Sequence, residues 1–326
     1  MCIRDRSSIK GLVNVRMSLS APAAGTSYLY PIADVASQTY WYLHPYRGNE
    51  ISLYDYYQGI WTIVQVASSQ QFYLTNDGTA SGTDLDANSV YDVYLFNVGT
   101  VATPDLRVEY AKWADDHTPP ARGNVQGILT KTGGTTNDNK RYIGVVATTS
   151  AGTTRQSLGG VLASSVTSST NPFIGIGNFY NIYKASQRFF FSSGWTGPVT
   201  SGWDVPPSYG ADAVIRVVTA DDSALTVFLD EYSNGVGIVY AAPGFDATDA
   251  GNNSAIANVN GGNDAGVRLP VDAFYAEQEG SNQTATSCWA RTLGAGMHRV
   301  YYLHQHRDNN NLNEHPAHGW IVTAEV

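Results

Sequence analysis

The chain has 326 residues and a mass of 35.1 kDa, enough for about two domains that each bury a core. Charged residues make up 14% and hydrophobics 43%, which excludes a wholly disordered chain, because disorder needs low hydrophobicity together with high charge. A net charge of -9 argues against a nucleic-acid binder held by phosphate contacts, and no run reaches the ~20 apolar residues of a membrane-spanning helix.

The first six residues, Met1-Cys2-Ile3-Arg4-Asp5-Arg6, resemble a translated sequencing adaptor, so residues 1–11 are set outside the folded body. No apolar core of about 7–15 residues follows, so the segment does not read as a signal peptide. Val13, Val15, Met17 and Leu19 alternate with other residues, which predicts a half-buried strand over 13–19. The stretch 21–25 reads as a turn. Residues 39–43 are aromatic and β-rich, and His44-Pro45 is expected to break that strand. Strands over 51–54 and 61–66 flank Gly59 in a hairpin pattern. Strands over 72–74, 90–96 and 106–113 follow, separated by the turn residues Asn76-Asp77-Gly78 and Thr103-Pro104-Asp105.

Residues 115–123 form a polar, proline-containing loop. Segments 127–131 and 141–146 read as a hairpin around the polar tip 132–140. The Ser/Thr/Gly-rich stretch 150–169 reads as a surface crossing or a connector, and 178–183 fits either a short helical turn or a strand. Further strands are predicted over 213–218, 224–230, 235–241, 273–277, 287–291, 297–306 and 320–326, with a long Gly/Asn/Asp loop over 245–264. The sequence holds no amphipathic helical stretch of about 10–12 residues and no exact internal repeat.

Histidine is the most unevenly placed residue type. His298, His304, His306, His315 and His318 all lie near the C-terminus. His304 and His306 share one face of a strand, and an H-x-H pair can supply two imidazole ligands to a metal, for instance on a threefold axis. A polar strand end entering the loop at 307 explains the same residues. The pairs Asp115-Asp116, Asp221-Asp222, Asp230-Glu231 and Glu277/Glu279 are candidate acid/base carboxylates, but turn aspartates also cap their own backbone. No nucleophile-elbow, P-loop or zinc-protease motif occurs. Cys288 sits in a predicted strand and reads as a small buried hydrophobe. Two cysteines cannot build a disulfide framework. Among the aromatics, the loop pair Trp195 and Trp203 can stack on sugar rings, whereas the strand aromatics serve the core. Asn252-Asn253-Ser254 and Asn282-Gln283-Thr284 match glycosylation acceptors.

An ordered series over residues 12–185 carries a resemblance. It runs from the Val13 to Leu19 alternation to Pro45-Tyr46-Arg47-Gly48-Asn49, Ile51-Ser52-Leu53-Tyr54 and Trp61. It continues through Tyr91-Asp92-Val93-Tyr94, Trp113, Arg122, Arg141-Tyr142-Ile143-Gly144 and Asn178-Phe179-Tyr180-Asn181. In this the chain resembles a widespread family of phage structural proteins found among tail, fibre and head-fibre genes. Pro119-Pro120 before Arg122 departs from the usual pattern. The C-terminal part resembles jelly-roll heads of the tumour-necrosis-factor and C1q type, on the cue of Leu293-Gly294-Ala295-Gly296-Met297-His298-Arg299-Val300 and a closing strand over 320–326. The first resemblance implies a virion component without catalytic residues, and the second implies trimerisation.

The expected fold is all-β: an N-terminal β-sandwich or barrel over 12–150, a connector over 151–185 and a C-terminal jelly-roll sandwich over 186–326. The expected function is that of a non-enzymatic virion structural protein of tail, fibre or capsid-fibre type, attached by its N-terminal part. The rival is a secreted bacterial carbohydrate-binding or adhesin-like protein. The expected partners are two further copies in a homotrimer, other phage structural proteins and a host cell-surface glycan, with no nucleic acid. The expected location is the virion. No cofactor is expected, a metal at His304 and His306 being the alternative. Receptor or glycan contacts are placed on the loops 245–264 and 307–318 and on Trp195, Trp203, Asn252, Asn253, Asn309 and Asn310.

Overall fold

A computed structural model describes residues 11–19, 35–46, 48–55, 58–132, 140–157, 159–161, 173–182, 184–190, 196–198, 214–233, 238–245, 274–277, 283–306, 311–313 and 319–325. Every regular element among them is a strand. The first eight are β1 (Val15–Ser18), β2 (Val35–Gln38), β3 (Tyr40–Pro45), β4 (Glu50–Asp55), β5 (Ile60–Gln65), β6 (Gln70–Tyr73), β7 (Val90–Asn97) and β8 (Leu106–Lys112). Next come β9 (Arg122–Val125), β10 (Ile128–Lys131), β11 (Arg141–Ala147), β12 (Thr154–Ser157), β13 (Gly159–Val161), β14 (Phe173–Ile174), β15 (Ile176–Asn178), β16 (Lys184–Phe190) and β17 (Thr196–Pro198). The last eight are β18 (Val214–Thr219), β19 (Ser223–Ser233), β20 (Ile238–Phe245), β21 (Phe274–Glu277), β22 (Gln283–Leu293), β23 (Gly296–His306), β24 (Asn311–Asn313) and β25 (Gly319–Glu325). The protein belongs to the all-β sandwich and barrel class.

Three sheets carry most of the packing. The first has the order β8-β7-β11-β10-β9, with β15 also paired to β11. One face of it, through Tyr91, Val93, Leu95 and Val108, meets the small sheet β1-β3-β6 and the hairpin β4-β5 around Trp41, Leu43, Leu53 and Val64. Its other face, through Val90, Tyr94, Tyr142 and Val145, meets Phe173, Val218, Ala220 and Met297 of a seven-stranded sheet and its flanking turn. That central sheet has the order β2-β12-β14-β18-β23-β20-β21. A five-stranded sheet, β13-β16-β25-β19-β22, contacts the central sheet where β19 meets β20, β22 meets β21 and β25 meets β18 and β23, and buries Leu225, Val227, Val322 and Ala324. The central sheet pairs β2, β12 and β14, which lie between residues 35 and 174, with four strands that lie between residues 214 and 306.

Several local expectations are corrected. The strand at 13–19 is not half-buried: Val15, Arg16, Met17, Ser18 and Leu19 are all buried, and Asn178 and Asn181 cover its free edge. The Asn178 carboxamide accepts from Met17 N at 2.8 Å and donates to Met17 O at 3.2 Å, copying the pairing of a neighbouring strand. His44-Pro45 does not break β3, because Pro45 occupies the last position, where a missing N–H is tolerated. The Ser/Thr/Gly-rich stretch contains β12, whose Thr154, Arg155 and Gln156 are buried between β2 and β14. Strand β9 occupies the end of the expected loop, and β16 was not foreseen. Of the segment 178–183, Asn178 ends strand β15 and the chain then bends over 179–181, with Asn181 at φ 54°, while residue 183 lies outside the described residues. A bulge between Tyr142 and Gly144 brings Gly144 so close to β15 that a Cβ there would lie 2.2 Å from Gly177 O.

Double-sided burial leaves its mark on His44, which is 3% exposed. Burial, with the nearby Arg16 charge adding to it, pushes this imidazole down to about 4. In the unfolded chain it titrates near 6.5, so below that value the unfolded state binds more protons. Stability is therefore fully present above about pH 6.5 and falls as pH drops toward 4, by on the order of 3 kcal/mol. Replacing His44→Gln is expected to flatten this dependence, read as urea midpoints at pH 7 and pH 4.5. Equal sensitivity in the variant and the parent would remove His44 as the cause.

Candidate functional site

A surface groove of about 320 Å³ lies between β6, the turn after it and the start of β8. Gln71, Tyr73, Asp77, Thr79, Asp105 and Arg107 bring polar atoms to it, and Phe72 and Val108 form part of its wall. The turn is built rigidly. Asp77 Oδ1 accepts from Thr79 N at 2.9 Å and from Thr79 Oγ1 at 2.9 Å, and Tyr73 N donates to Gly78 O at 3.0 Å. Gly78 has φ 72°, and a Cβ on it would lie 2.4 Å from Val108 Cγ2, so only glycine lets the turn sit against β8. The donors from Thr79 hold the Asp77 carboxyl below the usual carboxylate range. On the opposite rim, Arg107 Nη2 donates to Asp105 Oδ2 at 2.9 Å. Carboxylates, a guanidinium, a carboxamide, a hydroxyl and a phenol around one shallow space suit a hydroxyl-rich ligand that both donates and accepts.

The densest polar cluster serves another purpose. Asp92 on β7 has no exposure and accepts four hydrogen bonds. Tyr94 Oη and Arg122 Nε reach Oδ2 at 2.9 and 2.8 Å, while Trp113 Nε1 and Arg122 Nη2 reach Oδ1 at 2.8 and 2.7 Å. The Arg122 guanidinium also lies 4.1 Å from the centroid of the Tyr142 ring. Tyr142 Oη donates to Ala220 O at 2.9 Å, which ties the first sheet to the turn after β18. Burial opposes the Arg122 charge, but the bonds to Asp92 outweigh it and hold the guanidinium above its usual range. Burial, then the Asp92 charge, raises the Tyr94 phenol. Nearby, Glu109 on β8 accepts from both Lys131 and Lys140, fastening β8 to β10 and to the entry of β11.

The residues singled out in the sequence fall elsewhere. His304 and His306 lie on β23, their backbone in register with Ala241 and Val239. Among the described residues, no group of three or more His, Cys, Asp or Glu side chains could hold a metal. Trp195, Trp203, Asn252, Asn253, Asn309 and Asn310 lie outside the described residues. Asp115 caps the following turn, accepting from His117 N at 2.8 Å and Thr118 Oγ1 at 2.9 Å, while Asp116 pairs with Arg299. The groove went unforeseen because its residues read as two ordinary turns, and only the fold brings 71–80 and 105–108 together.

No protein-family model and no curated protein matches the chain. Among solved structures, an insecticidal delta-endotoxin from Bacillus thuringiensis aligns at 7% identity with a TM-score of 0.20, over 89% of this chain and 49% of that one. The chain thus spans about half the length of that toxin.

Replacing Asp92→Ala is expected to cost about 3–5 kcal/mol in chemical denaturation, because Arg122 is left charged, largely withdrawn from water and without its carboxylate. The double replacement Asp92→Leu with Arg122→Met is expected to recover most of that loss. A loss below about 1 kcal/mol in the single variant would show the cluster to be dispensable.

Proposed function

We propose that this chain is a non-enzymatic structural component of a bacteriophage particle, of tail, fibre or capsid-fibre type. One observation supports the reading above the others: the residues that carry the phage resemblance are mechanical. Asp92, Tyr94, Trp113, Arg122 and Tyr142 lock two sheets together, Arg141 donates to Ser52 O at 2.8 Å, and Asn178 seals β1. A catalytic carboxylate needs a face turned toward substrate and an unclaimed lone pair, whereas that of Asp92 is fully enclosed and shared among four donors. A homotrimer joined through the C-terminal strands belongs to the same proposal. The outer side of the five-stranded sheet supports it: Phe228, at 43% exposure, stands on that side in register with Ile321 of β25.

The groove beside β6 favours a second reading, a secreted bacterial carbohydrate-binding or adhesin-like protein. The virion reading absorbs the groove as a contact with a host-surface glycan. The readings part on company: capsid, portal or tape-measure genes beside this gene, and peptides of this chain in particles banded on a density gradient, are the expected results. Neighbouring secretion genes and absence from such particles would favour the rival. Light scattering of the full chain is expected to give three times 35.1 kDa. A monomer mass for folded protein would overturn the trimer and leave the virion assignment standing.

A further inference from the structure

Three arginines stand on one face of the central sheet. In register, Arg216 on β18 lies beside Phe173 on β14 and opposite Arg299 on β23, and residues in register share a face. Arg155 on β12 reaches the same face, its guanidinium 5.4 Å from the centroid of the Phe173 ring. Like charges directly opposite each other destabilise an antiparallel pair, so Arg216 against Arg299 calls for neutralising charge. Arg299 has Asp116. Arg216 has no ion pair among the described residues, and its Nε is buried without an acceptor. Its charge is felt next door: burial first, then repulsion from Arg216, holds the Arg155 guanidinium below its usual range.

The surroundings sharpen the imbalance. Val214 and Tyr301 continue the face on one side, and Val218 and Met297 on the other; all four are buried. Charges between apolar flanks interact more strongly than in water. Arg155 is 7% exposed, whereas Arg216 is partly exposed and reachable from solvent.

We propose that Arg216 and Arg155, backed by Arg299, form a binding site for an oxyanion: a carboxylate, sulfate or phosphate group. The guanidinium fork presents paired N–H donors that match two oxygens of such a group, which a lysine ammonium does not. The anion supplies the acceptor that the buried Nε of Arg216 lacks and neutralises the opposed pair. It arrives either free or as the acid group of a saccharide, and the site is separate from the groove beside β6.

The test uses the full chain in scanning fluorimetry at constant ionic strength. Replacing chloride by 10 mM phosphate is expected to raise the Tm of the parent by about 3–5 °C. Arg216→Gln is expected to abolish the rise while being no less stable than the parent in chloride, and Arg216→Lys to keep at most half of it. Lys112→Gln, a surface control, is expected to keep it all. Glucuronate acting at lower concentration than phosphate, with glucose inert, identifies a saccharide acid; phosphate and sulfate acting alone identify a free oxyanion. No rise beyond chloride in the parent, or a full rise in Arg216→Gln, overturns the site. Isothermal titration of the parent with phosphate needs no variant: saturable heat is expected, and its absence overturns the site as well.

Discussion

The packing of this protein depends on keeping one carboxylate neutral in effect though not in charge. Asp92 sits in a strand buried on both faces, where an ion stripped of water costs several kcal/mol unless it is fully met by donors. Arg122, Trp113 and Tyr94 meet it from three separate positions on the chain. Once they do, the face of β7 that carries Asp92 can lie against the central sheet, and Tyr142 can pass across the join to Ala220. The flanking aromatics then stack around a fixed charge instead of around a void.

The same logic recurs in smaller form. Asn178 and Asn181 substitute for a missing strand beside β1, and the buried Gln187 donates to Ser157 O at 2.7 Å where the five-stranded sheet meets the end of β12. Polar side chains therefore appear where sheets meet or end, and the apolar residues fill between them. This division explains how a chain with only 14% charged residues places several of its charges inside.

Much of the architecture could be read from period-two patterns and turn residues. The β4-β5 hairpin around Gly59, the β10-β11 hairpin and the long C-terminal strands lie within a few residues of where alternation puts them. What alternation cannot show is burial on both faces. Val15 to Leu19 and Thr154 to Gln156 look polar on one side, yet their Arg, Ser, Thr and Gln side chains lie inside the protein and not in water. Nor could spacing reveal the groove or the arginine row, which join residues from strands far apart in sequence. The motif residues were visible as a series, but their shared task as a clamp became visible only when the sheets were stacked.

The central sheet also sets the order of events during synthesis. Its neighbours β18 and β23 pair Val214 with Tyr301, and β2, at residues 35–38, shares the sheet with β21, at residues 274–277. A ribosome must therefore release most of the chain before this layer can close, and β2, β12 and β14 wait with unsatisfied edges meanwhile. Long-range pairing of this kind makes for slow folding, with strand edges left open for longer than in a sheet closed by adjacent segments.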